Sequence, residues 1–165
     1  MFELKPLSKE AIPHSLERVE RYRLLNKPSV SVSICHDILN VDPENQEALI
    51  GLILALTDQF AQAASGGMNK VLEIIPKLRE EYDRAYYTGI IYERQAKARL
   101  NRAYPGSGFD AYDLLHEAMD WFEKADQMHP SGNEDAILQW NSSARIILEK
   151  KLQPRPKDDH EHPLE

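Results

Sequence analysis

Cysteine is nearly absent from this 165-residue chain, which has Cys35 alone. A single cysteine excludes a disulfide within the chain and a metal site built from several thiolates. Long apolar runs are absent too, since the longest, Ala48–Leu56, is about half of the roughly 20 residues that span a bilayer. The first residues contain an acid, Glu3, and no apolar core. We therefore expect no secretory signal peptide and a cytoplasmic protein.

Positive charge is in the minority, because 20 Lys and Arg residues face 27 Asp and Glu residues and leave a net charge of −7. Nucleic acids and anionic membranes are bound by basic surfaces. We therefore expect neither nucleic acid nor membrane as a partner. An apolar fraction of 42% and a charged fraction of 28% are typical of a globular protein, and the length suits one domain.

The alternation typical of β-strands is also missing, whereas apolar residues recur at steps of three and four almost throughout. The pattern predicts an all-α fold of about seven helices. Their expected ranges are Lys9–Leu25, Ser29–Val41, Gln46–Ala63, a fourth from Met68, Glu81–Ala103, Asp110–Met128 and a last from about Asn133 to Lys151. Residues 1–152 should form the helical domain, and the polar, proline-rich residues 153–165 a disordered tail.

Pro76 leaves the end of the fourth helix ambiguous. Proline either kinks a helix or serves as its first residue, so Pro76 could lie inside the fourth helix or start the fifth. We favour a kinked fourth helix that reaches Arg79, because that length restores a full helical hairpin.

The most specific pattern lies in the sixth helix, in the stretch A-M-D-W-F-E-K-A-D-Q-M-H-P. Ala118, Phe122 and Ala125 are four and three residues apart and share one helix face, and Pro130 follows. The two small residues allow a neighbouring helix to approach closely, and the phenyl ring fills the gap between them. The pattern is typical of the second half of a helical hairpin that packs against further hairpins.

This A-x3-F-x2-A-x4-P pattern, with Gly89 and Tyr92 as G-x2-Y in the preceding helix, resembles the tetratricopeptide repeat family. An earlier hairpin matches more loosely through Tyr22 and Pro43, and the one between them is degenerate. The resemblance implies a three-repeat array with a last helix as its cap, an α-α superhelix of antiparallel hairpins.

In this family the first helix of each hairpin lines a concave face that binds other proteins. Carried over by register, the implied partner-binding residues are Leu16, Arg23, Ile50, Leu54, Tyr86, Ile90, Arg94, Ile137 and Arg145. The resemblance thus implies a non-enzymatic adaptor or scaffold that binds an apolar or amphipathic segment of a partner protein. Arg94 and Arg145 would be available to pair with acidic residues beside that segment.

The third helix contains A-L-I-G-L-I-L-A-L and is apolar all round, which is typical of a helix covered on every side. The sequence leaves three candidates for what covers this helix. Tight curvature of the array could make Ile50 and Leu54 part of the core, a partner protein could cover them, or a second copy of the chain could. The last option makes a self-associating structural protein, a homodimer through the same face, the alternative function.

Candidate reaction chemistry is sparse. Asp113, His116 and Asp120 share a helix face and could bind a metal, but three ligands without a fourth favour an ordinary solvated surface. The D-D-H-E-H of the tail could also chelate an ion, although ordering a flexible tail costs entropy. Cys35 and His36 point about 100° apart on a helix and form no nucleophile–base pair. We therefore expect no enzyme, no cofactor and no metal.

Overall fold

A computed structural model describes residues 1–62 and 67–157 of the chain. Within these residues there are seven α-helices and no strand, which confirms the predicted all-α class. The helices are α1 (Ile12–Leu24), α2 (Pro28–Val41), α3 (Gln46–Asp58), α4 (Gly67–Leu72), α5 (Glu81–Arg102), α6 (Ser107–Asp126) and α7 (Asp135–Glu149). None of the described helices is both long enough and apolar enough to cross a membrane.

Several helix ends have a local cause in the sequence. Asn45 caps α3, since its side chain accepts a hydrogen bond from the backbone N–H of Ala48 at 2.9 Å. Gly106 precedes α6 with a φ of +84°, which favours glycine, so α6 begins at Ser107 rather than at the predicted Asp110.

The predicted kinked fourth helix is wrong, because α4 ends at Leu72 instead of Arg79. The ring of a proline clashes with the carbonyl four residues earlier, and for Pro76 that carbonyl belongs to Leu72. Pro76 lies in a short 3₁₀ helix, Ile75–Lys77, and α5 begins only at Glu81. Neither of the two alternatives for Pro76 is therefore observed. The expected third helix is also too long, because α3 ends at Asp58 and residues 59–62 form turns. Residue 63, the end expected from the sequence, lies outside the described residues.

The helices pack in a regular order. Each helix contacts the next along the chain within the groups α1–α2–α3, α3–α4–α5 and α5–α6–α7. In addition, α1 contacts α3, α3 contacts α5, and α5 contacts α7. The odd-numbered helices therefore lie side by side as one layer, and the even-numbered helices pack against that layer. We call the exposed side of the odd-numbered helices the inner face.

The closest helix approach is between α5 and α6, at the motif singled out in the sequence. A Cβ atom added to Gly89 would lie 2.5 Å from Cε1 of Phe122, so the phenyl ring sits directly on the glycine backbone. Ala118 and Ala125, on either side of Phe122 along α6, are fully buried. Small residues and one ring thus pack as the spacing predicts.

Candidate functional site

The apolar residues predicted to bind a partner lie on the odd-numbered helices and are mostly engaged within the chain. Leu16 and Ile50 are half-buried and pack on the core formed by α1 to α4 and part of α5. Leu54 and Tyr86 are half-buried and pack on the core of α5 to α7. Ile90 is only 5% exposed and belongs to that second core. The chain itself therefore covers much of the apolar surface of α3 and α5.

The part of the inner face most open to solvent lies on α7. Ile137 retains 37% of its accessible surface, and Arg145 is exposed. A cavity of about 210 Å³ lies between α6 and α7, and Ile137 and Trp140 line it together with Phe122 and Asp126. The indole Nε1 of Trp140 is buried and has no hydrogen-bond partner. The sequence pattern did not reveal this cavity, since it depends on how α7 lies against α6.

Three charged residues of the inner face form one network. Nε of Arg23 lies 2.8 Å from Oδ2 of Asp58, and Nη1 of Arg94 lies 2.6 Å from Oδ1 of the same carboxylate. Arg94 also donates to the carbonyl of Leu54 at 3.0 Å and to the hydroxyl of Thr57 at 2.9 Å. The network joins α1, α3 and α5.

The network limits the capacity of Arg94 to bind a partner protein. Burial lowers the pKa of the Arg94 guanidinium, and the nearby Asp58 carboxylate partly opposes that shift. Because Nη1 of Arg94 already bonds within the chain, Arg94 is less available to an acidic partner segment than the sequence implied. Two guanidinium groups share one carboxylate, so this part of the inner face keeps one net positive charge.

Tyrosines of α5 form an aromatic cluster between helices. The rings of Tyr82 and Tyr86 stack with their centroids 5.7 Å apart, and Tyr87 meets Tyr86 edge-on at 5.0 Å. Tyr86 also contacts the ring of Phe122, with centroids 5.9 Å apart. Burial raises the pKa of Tyr87 to about 12 and that of Tyr86 further still. These phenols therefore stay neutral and contribute packing rather than charge.

The groups considered for reaction chemistry remain dispersed in the structure. Nδ1 of His116 lies 3.7 Å from Oδ2 of Asp120, and both side chains are well exposed. Within the part of the chain that the structure describes, no three or more His, Cys, Asp or Glu side chains are placed to hold a metal ion. The acidic and histidine residues of the tail, from residue 158 onward, lie outside the described residues.

The single thiol is buried, as expected. Cys35 has no accessible surface, and burial raises its pKa to about 11. The neighbouring His36 is exposed. Cys35 is therefore a neutral packing residue at physiological pH rather than a nucleophile.

Comparison of the chain with protein-family models, with curated proteins and with solved structures finds no match. The resemblance to tetratricopeptide repeats therefore depends on the residues of this chain alone. Function has to be inferred from the surface that these residues form.

Proposed function

We propose that the chain is a non-enzymatic protein-interaction module of the tetratricopeptide type, an adaptor or scaffold located in the cytoplasm. Its inner face would bind an apolar or amphipathic segment of another protein. The observation that supports this proposal is the order of packing, in which α1, α3, α5 and α7 contact one another in turn. A layer of this kind offers one continuous surface drawn from all the hairpins, as binding arrays of stacked repeats do.

The chemistry of the face defines the segment that fits it. Half-buried Leu16, Ile50, Leu54 and Tyr86 offer apolar contact along the layer. The α6–α7 cavity beside Ile137 offers a place for one apolar side chain. The positive charge of the Arg–Asp–Arg network, with exposed Arg145, favours an acidic residue next to the apolar anchors.

Substitutions on α7 test the proposal without disturbing the core. Ile137→Asp with Arg145→Glu places negative charge on the inner face at its most exposed positions. We expect this double variant to weaken binding of a partner captured from native lysate at least tenfold. Val30→Asp with Lys27→Glu makes the same charge changes at two exposed residues at the start of α2, an even-numbered helix outside the inner face, and should leave binding unchanged.

Binding that survives Ile137→Asp with Arg145→Glu, while helical circular dichroism stays unchanged, would contradict the inner face as the binding surface. Light scattering separates the alternative. A mass of twice the 19.0 kDa of the chain, reverting to one chain in the same double variant, would favour a self-associating structural protein.

A further inference from the structure

A second cavity, of about 560 Å³, lies between α2, α3 and α4, and we call it the α2–α4 groove. Its floor is apolar and includes Leu39, Leu52, Leu56 and Val71. Lys70, Lys77 and Glu73 are exposed charged residues at its edge. The edge therefore carries a net positive charge around an apolar floor.

The groove exists because the second hairpin has a short second helix. α4 has 6 residues, whereas α2 has 14 and α6 has 20. In the third hairpin, the glycine of the first helix packs on a ring of its own second helix. Gly51 of α3 faces Val19 of α1 and Cys35 of α2 instead of α4. Within the described residues, the short α4 leaves Leu56 of α3 only half-buried at this groove, whereas Leu49 and Leu52 are buried.

The segment that precedes α1 borders a cavity next to this groove. Leu4, Lys5 and Leu7 border a smaller cavity of about 380 Å³ together with His36 and Leu39, and the last two residues also line the α2–α4 groove. Leu7 packs on the core, which anchors the segment there. The two cavities are therefore neighbours along α2.

The residues before this anchor expose their apolar side chains. Phe2 is fully exposed, and Leu4 keeps 92% of its accessible surface. Residues at i and i+2 of an extended chain point to the same side, so Phe2 and Leu4 can enter one groove while Glu3 points away toward its edge. Two residues of extended chain span about 7 Å. Phe2 can therefore extend that far from the cavity that Leu4 borders, which shares His36 and Leu39 with the α2–α4 groove.

We propose that residues 1–4 form a strap that closes over the α2–α4 groove of the same chain. Phe2 and Leu4 fill the apolar floor, and Glu3 lies at the edge near Lys70 and Lys77. Aromatic and aliphatic side chains now in water would be buried on the uncovered side of α3. A tether this short holds the strap at an effective concentration on the order of millimolar, which favours closure within one chain over binding to a second copy.

Disulfide trapping in the full chain tests the strap. Glu3→Cys is combined with Lys70→Cys or with Lys77→Cys, all at exposed positions, and oxidised glutathione is added. The native Cys35 is fully buried and does not interfere. We expect a disulfide within one chain, seen as loss of two hydrogens in the intact mass without a dimer band.

Two controls separate specific docking from random collision. Glu3→Cys with Lys150→Cys, an exposed residue on the far side of the helical order, should form the disulfide at least tenfold more slowly. Adding Phe2→Ser and Leu4→Ser to the Lys70→Cys pair should slow trapping by the same factor. Absence of trapping at both groove positions, or equal rates in the controls, would overturn the strap. Disulfides between two chains would show instead that the segment seats in a second copy.

Discussion

A missing side chain at position 89 decides how closely α5 and α6 pack. The phenyl ring of Phe122 occupies the space that a Cβ atom of Gly89 would need, with Cε1 at 2.5 Å. Atoms this close cannot coexist, so any larger residue at position 89 must displace a ring that is itself fully buried. A substitution at Gly89 therefore measures how much this contact contributes to the free energy of unfolding.

We expect Gly89→Ala to lower the free energy of unfolding by about 1–2 kcal/mol. Overpacking a core costs about 1–3 kcal/mol, and the change from glycine to alanine returns up to about 1 kcal/mol of helix propensity. Urea denaturation followed by circular dichroism measures the difference. Gly108→Ala in α6 is the matched control, since its nearest atom, Cδ2 of Leu152, would be at an ordinary 3.5 Å. That control should be neutral or slightly stabilising, and a similar outcome for both variants would contradict the close contact.

At the level of elements, the start of α6 holds the chain that follows α7. Oδ2 of Asp110 accepts a hydrogen bond from the Tyr104 hydroxyl at 2.6 Å, and Oδ1 accepts one from Arg155 at 2.8 Å. Arg155 also lies over the ring of Phe109, with Cζ 5.3 Å from its centroid. Arg155, at the start of the predicted tail, therefore contacts the helical domain. Residues 158–165 lie outside the described residues.

The contacts of Asp110 with Tyr104 and Arg155 predict that the stability of the protein depends on pH. The Tyr104 hydrogen bond, followed by Arg155, lowers the pKa of Asp110 below its ordinary value of 3.8. A lowered carboxyl pKa in the folded state stabilises the protein above pH 3.8, and that stability is lost as the pH falls through the folded pKa. We expect Asp110→Asn to melt about 2–4 °C below the wild type near neutral pH.

The difference in melting temperature should narrow as the pH falls from neutral through the lowered folded-state pKa of Asp110, because protonation then removes the carboxylate. Thermal melts monitored by circular dichroism across this range measure it. Asp113→Asn changes an exposed carboxylate of the same helix and should show no such gap. A gap that persists at the lowest pH would mean that Asp110 does not act through its charge.

The end of α4 shows a limit of sequence interpretation. Proline geometry alone allowed the fourth helix to end at Ile75, before Pro76, but the expected length of a hairpin favoured an extension to Arg79. After α4, the backbone at Arg79 is held by Gln46, which lies 33 residues earlier in the chain. Oε1 of Gln46 accepts a hydrogen bond from the N–H of Arg79 at 2.8 Å. Nothing in the local pattern around Pro76 indicates that contact.

At the level of the whole molecule, one carboxylate connects three hairpins. Arg23 and Arg94 lie 35 and 36 residues from Asp58 along the chain, yet both contact its side chain. The carboxylate retains 26% of its accessible surface, so solvent screens the pairs only in part. The network therefore sets the spacing of α1, α3 and α5 across the inner face.

We expect Asp58→Asn to lower the free energy of unfolding by about 1–3 kcal/mol, because two guanidinium groups would lose their shared charged partner. The loss should shrink as salt concentration rises, since ions screen both the attraction in the wild type and the repulsion in the variant. Urea denaturation at low and high salt measures both effects. Asp37→Asn, at an exposed position of α2, should change stability by less than about 0.5 kcal/mol. Equal effects for the two variants would contradict the network.

The three coverings considered for α3 also belong to this level. Much of its apolar surface is covered by α1, α2, α4 and α5 of the same chain, since Leu49, Leu52 and Ile53 are buried. Ile50 packs on the first core and Leu54 on the core of α5 to α7. What remains open is divided between the inner face and the α2–α4 groove. The sequence pattern could not separate these two sides, because an all-apolar helix carries no mark of which neighbour covers which side.

Local regularities were enough to predict the all-α class, most helix ranges and the hairpin built on Gly89, Ala118, Phe122 and Ala125. Periodicity, capping residues and the spacing of small side chains act over only a few residues. The Arg23–Asp58–Arg94 network, the α2–α4 groove and the cavity beside Leu4 depend on the packing of helices. Such contacts join residues far apart in the chain, and their geometry follows from the angles and lengths of whole helices, which no short pattern encodes.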